Sequence, residues 1–326
     1  MYFEQKIVYN LISNQINKKI SYHFELLYND TNLNIPNDTE LVLLNHSFGN
    51  NNTLQQYNLL KEKAQDKDFI LLTSNYYFYK NKHKHIIYFP FYYYYMFSLS
   101  ENLKKFDLQK FRRYPIMCFN LNPWLHRTIN FLQMSKKNWF NRCKCSFHWT
   151  YEKEHYNTVN IGLDTLSSLS NEQKLELKKF SFPIIVENNW KLGGEYYVSN
   201  SSELYEETYI NYVTENSVEQ EFITEKTWKP IFSGQLFYIL GSKKIIQHLK
   251  DLGIDVFDDI LSHGYDDEID LNKKIDIILD DIDKIMQVDL EKLWSETYLR
   301  RKANLDLMYN EDFQKLLVAD LIKRVS

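Results

Sequence analysis

The sequence predicts an α/β protein of two parallel-sheet domains followed by a helical C-terminal segment. Three observations carry this expectation. Short apolar runs of strand length recur along the chain, polar stretches with helical spacing separate them, and after Leu271 the periodicity becomes that of amphipathic helices. A run of four or five aliphatic and aromatic residues suits a strand covered on both faces, as in a parallel sheet. The chain of 326 residues is long enough for two domains, and 44% hydrophobic residues supply their cores.

Leu41–Leu44, Phe69–Leu72 and Ile86–Phe89 read as strands. Between the first two, Leu54, Tyr57, Leu60 and Ala64 recur at helical spacing within Thr53–Lys67, giving strand–helix–strand logic. Ile116–Asn120 reads as a further strand and Leu125–Met134 as a helix. The polar stretch 151–180 places a domain boundary near residue 165, and Phe182–Val186 opens the second unit. There Tyr209–Thr214 alternates as a strand does, and a helix starts at Thr224 with its hydroxyl as cap. Leu236–Leu240 is the next strand, and the helix Ile245–Leu252 stops at Gly253. Ile254–Phe257 reads as one more strand. Ile275, Ile278, Ile282 and Ile285 then mark an amphipathic helix, with further helices over Leu290–Tyr309 and Phe313–Val325. The expected domains are 1–165, 166–290 and a helical segment 291–326 that packs back on the first.

The net charge of −4 is unevenly placed: residues 1–165 hold 20 Lys and Arg against 13 Asp and Glu, the remainder 19 against 30. A basic front half steers anions such as a nucleotide diphosphate, an acidic glycan or nucleic acid, or is simply a solvated face. The abundance of Asn, Lys, Ile and Tyr suits an AT-rich genome. Cys118, Cys143 and Cys145 form no disulfide framework and lack a second pair at zinc spacing, so no metal site is expected. No signal peptide and no apolar run near 18 residues is present, which predicts a cytoplasmic protein. Dinucleotide, P-loop and nucleophile-elbow glycine motifs are absent. The run Tyr92–Tyr95 reads as buried packing or as a carbohydrate-stacking surface.

The segment Glu221-Phe222-Ile223-Thr224-Glu225-Lys226-Thr227-Trp228-Lys229-Pro230-Ile231 is the most informative. A helix N-terminus presents free N–H groups and a positive dipole, which attract phosphate. Lys226 adds a point charge, and the Glu225 carboxylate can accept two hydrogen bonds from a diol. The same residues also serve as an ordinary cap with solvated charges. The segment resembles the Thr-Glu-Lys motif of α1,3-fucosyltransferase-like enzymes. It is closer still to a group of viral, phage and bacterial glycosyltransferase-like proteins, in which Ser/Thr-Glu-Lys-Thr-x-Lys-Pro-Ile precedes a strand, a glycine and Leu-x-x-Leu-Gly, here Leu249–Gly253. Tyr212-Val213-Thr214-Glu215 resembles that group's Leu-Val-Thr-Glu-Thr. Asn120-Leu121-Asn122-Pro123-Trp124-Leu125-His126-Arg127 resembles its Asn-x-x-x-Arg-x-His-Arg, with Trp124 in the place of the first Arg. Where the group often has Asp-Glu-Ser-Tyr-Asp, this chain has Ser262-His263-Gly264-Tyr265-Asp266.

The resemblance covers roughly residues 115–135 and 200–285. It implies a GT-B-like fold, two Rossmann-like domains facing a cleft, and transfer of a sugar from a nucleotide-diphosphate donor to a glycan acceptor, with inversion. By carry-over Glu225 contacts the donor ribose, Lys226 the phosphates, and Thr224 caps their helix. Thr214 and Glu215 line the donor crevice, while Asn122 and Arg127 reach the donor from the front domain. Such enzymes replace a metal with cations and a helix end, so no cofactor is expected beyond the nucleotide sugar. The base that deprotonates the acceptor belongs at the end of a front-domain strand, where His46 stands; it also reads as a loop or capping histidine, and Glu101 is a rival. Two other readings stay open: a transferase acting on DNA bases, and a non-catalytic carbohydrate-binding relative.

Overall fold

The computed structural model describes residues 20–24, 41–46, 53–64, 68–100, 106–120, 122–147, 165–182, 184 and 202–325. Glu101 and most of 151–164 and 183–201 lie outside these residues. The protein is α/β with parallel sheets, and it divides into two compact units.

Unit 1 comprises Met1–Glu101, Gln220–Trp228 and Leu307–Ser326. Its sheet runs β1 (Ile20–Phe24), β2 (Leu41–His46), β3 (Asp68–Thr73), β4 (Ile86–Tyr88), all parallel and in sequence order. The apolar runs become strands because both of their faces are covered: Phe69 to Leu72 and Ile86 to Tyr88 are all buried. Helix α1 (Thr53–Ala64) joins β2 to β3, and its Ala64 packs with Val42, Phe69, Leu71, Phe78 and Ile86. Short α2 (Tyr77–Asn81) follows β3, and α3 (Phe91–Ser100) follows β4. The tyrosine run lies on α3 and serves packing: Tyr93 and Tyr94 are buried, and their hydroxyls donate to the carbonyls of Met308 (2.7 Å) and Gln314 (2.9 Å). Burial pushes both phenols up.

Unit 2 comprises Asn102–Glu219 and Lys229–Asp306. Its parallel sheet has the order β6 (Lys144–Phe147), β5 (Tyr114–Asn120), β7 (Thr208–Thr214), β8 (Leu236–Leu240). Every residue of β7 and β8 is buried. The expected boundary at residue 165 therefore cuts through one sheet, since Ile116 pairs with Ile210 and Met117 with Asn211. A polar connection inside a sheet has the same composition as a linker between domains, so the composition shift misled. Helix α4 (Leu125–Lys136) follows β5, α5 (Asn171–Leu177) precedes α6 (Ser202–Glu207), and α7 (Glu225–Phe232) leads to β8. Helix α8 (Ile245–Asp251) ends at Gly253, whose φ of +83° favours glycine.

From Leu271 the described chain is helical: α9 (Leu271–Ile285), α10 (Leu290–Glu296), α11 (Tyr298–Met308), α12 (Glu311–Leu317) and α13 (Ala319–Val325). The isoleucine stripe of α9 is buried as its spacing requires. Asp270, Asp289 and Asn310 cap α9, α10 and α12 through side-chain oxygens. Ile254–Phe257 is not a strand. The Asn304 side chain takes both the N–H (2.9 Å) and the carbonyl (2.7 Å) of Asp255, and Phe257 has φ +61°. One amide thus supplies the bonds a neighbouring strand would have made. No helix among the described residues is long and apolar enough to cross a membrane.

Candidate functional site

The strand order of unit 2 reverses at β5. From β5 the chain moves out to β6, then returns to place β7 on the other flank of β5, with β8 beyond. At such a reversal the connections at the carboxyl ends of the two central strands leave in opposite directions, opening a crevice where α/β sheets bind ligands. The residues there are Asn120 at the end of β5, Asn122 after it, Trp124 as the residue before α4, His126 and Arg127 in its first turn, Thr214 at the end of β7 and Glu215 just after it. In unit 1 the order of the described strands follows the sequence and shows no such reversal.

These side chains tie the two strand ends together. The Thr214 hydroxyl donates to Asn120 Oδ1. His126 Nε2–H donates to the Glu215 carbonyl at 2.8 Å. A single Arg127 nitrogen, Nη2, donates to the carbonyls of Thr214 (3.1 Å) and Glu215 (2.9 Å) and to Asn216 Oδ1 (2.9 Å). The Glu215 N–H donates to the Leu240 carbonyl, continuing the ladder past β7. The Pro123 carbonyl accepts from both Thr128 and Thr165 hydroxyls, fixing the turn into α4.

Burial sets the charge of this cluster. Arg127 is buried rather than on a helix surface, and it belongs to the same unit as Thr214 and Glu215. His126 is pushed down to about 3, first by burial and then by the Arg127 charge beside it, against the pull of the Glu215 carbonyl. The imidazole is therefore neutral beside the permanently charged guanidinium. Asn122 is half-buried and Trp124 exposed, so the turn itself faces solvent.

Thr224, Glu225 and Lys226 stand at the start of α7 and belong to unit 1, whose division from unit 2 falls inside that helix after Trp228. Thr224 is fully buried, and its hydroxyl accepts the Lys226 N–H at 3.4 Å. Lys226 Nζ pairs with Glu225 Oε1 at 2.5 Å. Their side chains are 27% and 16% exposed, so the pair is partly buried with an edge open to water. His46 is the last residue of β2, in register with Thr73 at the carboxyl edge of the first sheet. The start of α8 is closed to anions: Asp266 accepts from the N–H groups of Ile246 and Gln247, both at 3.0 Å.

Several aspartates of the second half serve structure. Asp258 bonds Lys250, Asp259 bonds Arg300, Asp280 and Asp283 bond Lys137, and Asp283 also accepts from Trp139 Nε1. Among the described residues no group of His, Cys, Asp and Glu is placed to hold a metal. Sequence reasoning missed the roles of Asn120 and His126. Both stand within the segment already singled out, and the polar end of a buried apolar strand was the signal that could have drawn attention to Asn120.

No protein-family description matches the sequence, and no curated protein matches it. Among solved structures, an alpha,alpha-trehalose 6-phosphate synthase from Burkholderia multivorans is similar over 88% of this chain and 72% of that one, at 10% identity and a TM-score of 0.38. A likeness at that level says nothing of activity.

Proposed function

We propose that the protein transfers a sugar from a nucleotide-diphosphate donor to a glycan acceptor, with inversion and without a required metal. The observation that carries the reading is the Thr224-Glu225-Lys226 helix start, with a neutral hydroxyl cap and an accessible carboxylate–ammonium pair. The hydroxyl cap adds no charge of its own at the positive end of the helix, where the Glu225 carboxylate in the first turn is set against the Lys226 ammonium. On this reading the Lys226 ammonium exchanges its Glu225 partner for a diphosphate oxygen, and the Glu225 carboxylate accepts from a ribose diol. Transfer needs the leaving diphosphate neutralised and the acceptor hydroxyl deprotonated. Lys226 and the helix end serve the first need, and His46 is proposed for the second. Within unit 2, Asn122, Arg127, Thr214 and Glu215 gather at a strand-order reversal and are proposed to line a ligand crevice there.

A thermal-shift screen against UDP, GDP, CDP and their sugars tests the reading. A ligand that binds only the folded state raises stability by RT ln(1 + [L]/Kd), about 2.7 kcal/mol at a hundredfold excess over Kd. One nucleotide class should raise the midpoint while the others leave it in place. If none shifts it, the nucleotide-sugar reading is wrong.

A further inference from the structure

We propose that Asn75 is the positioning residue for the Thr224-Glu225-Lys226 helix start, holding it through the turn that ends β3. The functional half of this inference rests on the nucleotide-sugar reading; the structural half rests on unit 1 geometry alone.

β3 ends at Thr73, whose Oγ1 accepts the Asn75 N–H at 3.2 Å. Asn75 Oδ1 in turn accepts the Tyr77 N–H at 2.9 Å, which opens α2. These two bonds fold residues 73–77 into a closed turn. The backbone of that turn grips the incoming segment: Asn75 pairs with Phe222 in an antiparallel bridge, and the Tyr76 N–H donates to the Glu221 carbonyl at 2.7 Å. The bridge is isolated, so no sheet ladder maintains it, and its geometry follows from the turn.

From Phe222 the chain reaches Thr224 in two residues, a span of about 7 Å at most. Phe222, Ile223 and Thr224 are all buried, which leaves the path no slack. Wherever the turn holds Phe222, it holds Glu225 and Lys226. His46 is in register with Thr73 at the same sheet edge, so one edge carries both the proposed base and the anchor of the proposed phosphate grip. Only the acceptor oxygen of Asn75 is needed for its bond to Tyr77. An aspartate supplies one at the same place, and an alanine supplies none.

The test is hydrogen exchange of the peptide spanning residues 220–228 in wild type, Asn75→Ala and Asn75→Asp, with calorimetric titration of each by UDP, GDP and CDP. Asn75→Ala should speed exchange of that peptide about tenfold and raise the Kd of the bound nucleotide about tenfold, while Asn75→Asp, which keeps the acceptor, stays closer to wild type in both. Wild-type exchange in Asn75→Ala, or equal loosening in Asn75→Asp, overturns the positioning role. Loosened exchange with an unchanged Kd overturns its functional half. If wild type binds no nucleotide, the nucleotide-sugar reading fails, and the exchange data alone decide the structural half. Should Asn75→Ala not fold, Thr73→Val removes the Oγ1 acceptor while keeping the shape, and the same loosening is expected.

Discussion

Replacing His126 by glutamine should flatten the acid side of the stability profile by about 2 kcal/mol. The imidazole is buried, beside the Arg127 guanidinium, and titrates at about 3 in the folded protein against an ordinary value near 6.5. As pH falls through 6.5 the unfolded chain takes up a proton that the folded one refuses. The folded state therefore loses stability between about 6.5 and 3 and has its full share above that window. At about pH 5 the unfolded histidine is nearly all protonated and the folded one nearly all neutral, which works out to a loss of about 2 kcal/mol relative to pH 7 and above. Because the folded value lies well below pH 5, the figure depends almost wholly on the unfolded value. Glutamine keeps an N–H donor for the Glu215 carbonyl, now bonded at 2.8 Å, but does not titrate. Urea denaturation of both proteins at about pH 5 and pH 7.5 gives the comparison. Equal pH slopes would refute the assignment of a buried neutral imidazole.

Two further substitutions probe unit 2. Arg127→Met removes the donor shared by two carbonyls and the Asn216 amide oxygen. At about 1 kcal/mol for each acceptor left unmade, the cost is about 3 kcal/mol, a fall in Tm of about 6–12 °C by circular dichroism, and a fall under 2 °C would show that the guanidinium is not a strut. Gly234→Ala places a Cβ 2.4 Å from Leu108 Cδ2 at a residue with φ +59°. Left-handed strain and overpacking together cost about 2–4 kcal/mol, read as a lower denaturant midpoint, and an unchanged midpoint contradicts the geometry.

The strands were legible where apolar runs were continuous. Phe69–Leu72 and Leu236–Leu240 could be read because covering both faces of a strand leaves no polar position to confuse the pattern. The isoleucine stripe of α9 was legible for the complementary reason, one covered face at helical spacing. Ile254–Phe257 has the same composition as a strand, but a single side chain from fifty residues downstream takes its backbone bonds, and no local pattern announces Asn304. The single helix expected over Leu290–Tyr309 is interrupted at Thr297, whose hydroxyl bonds back to the Leu293 and Trp294 carbonyls. At the site, the helix start at Thr224 was readable from its cap and charges. The burial of His126 and Arg127 was not, because a helix shows in its sequence which face is apolar and not what its polar residues will meet across the sheet. The division into units was illegible for a similar reason: strand pairing between residues a hundred positions apart leaves no mark on composition.

Calorimetric titration of wild type and Lys226→Ala with the nucleotide found in the screen, together with its sugar, measures the proposed phosphate grip directly. A charge-assisted bond contributes about 1.5–3 kcal/mol, and each phosphate oxygen that Lys226 reaches adds one. Lys226→Ala should weaken binding about tenfold or more while its melting temperature stays near that of wild type. Equal affinity in the two proteins would contradict a helix start built to hold a diphosphate.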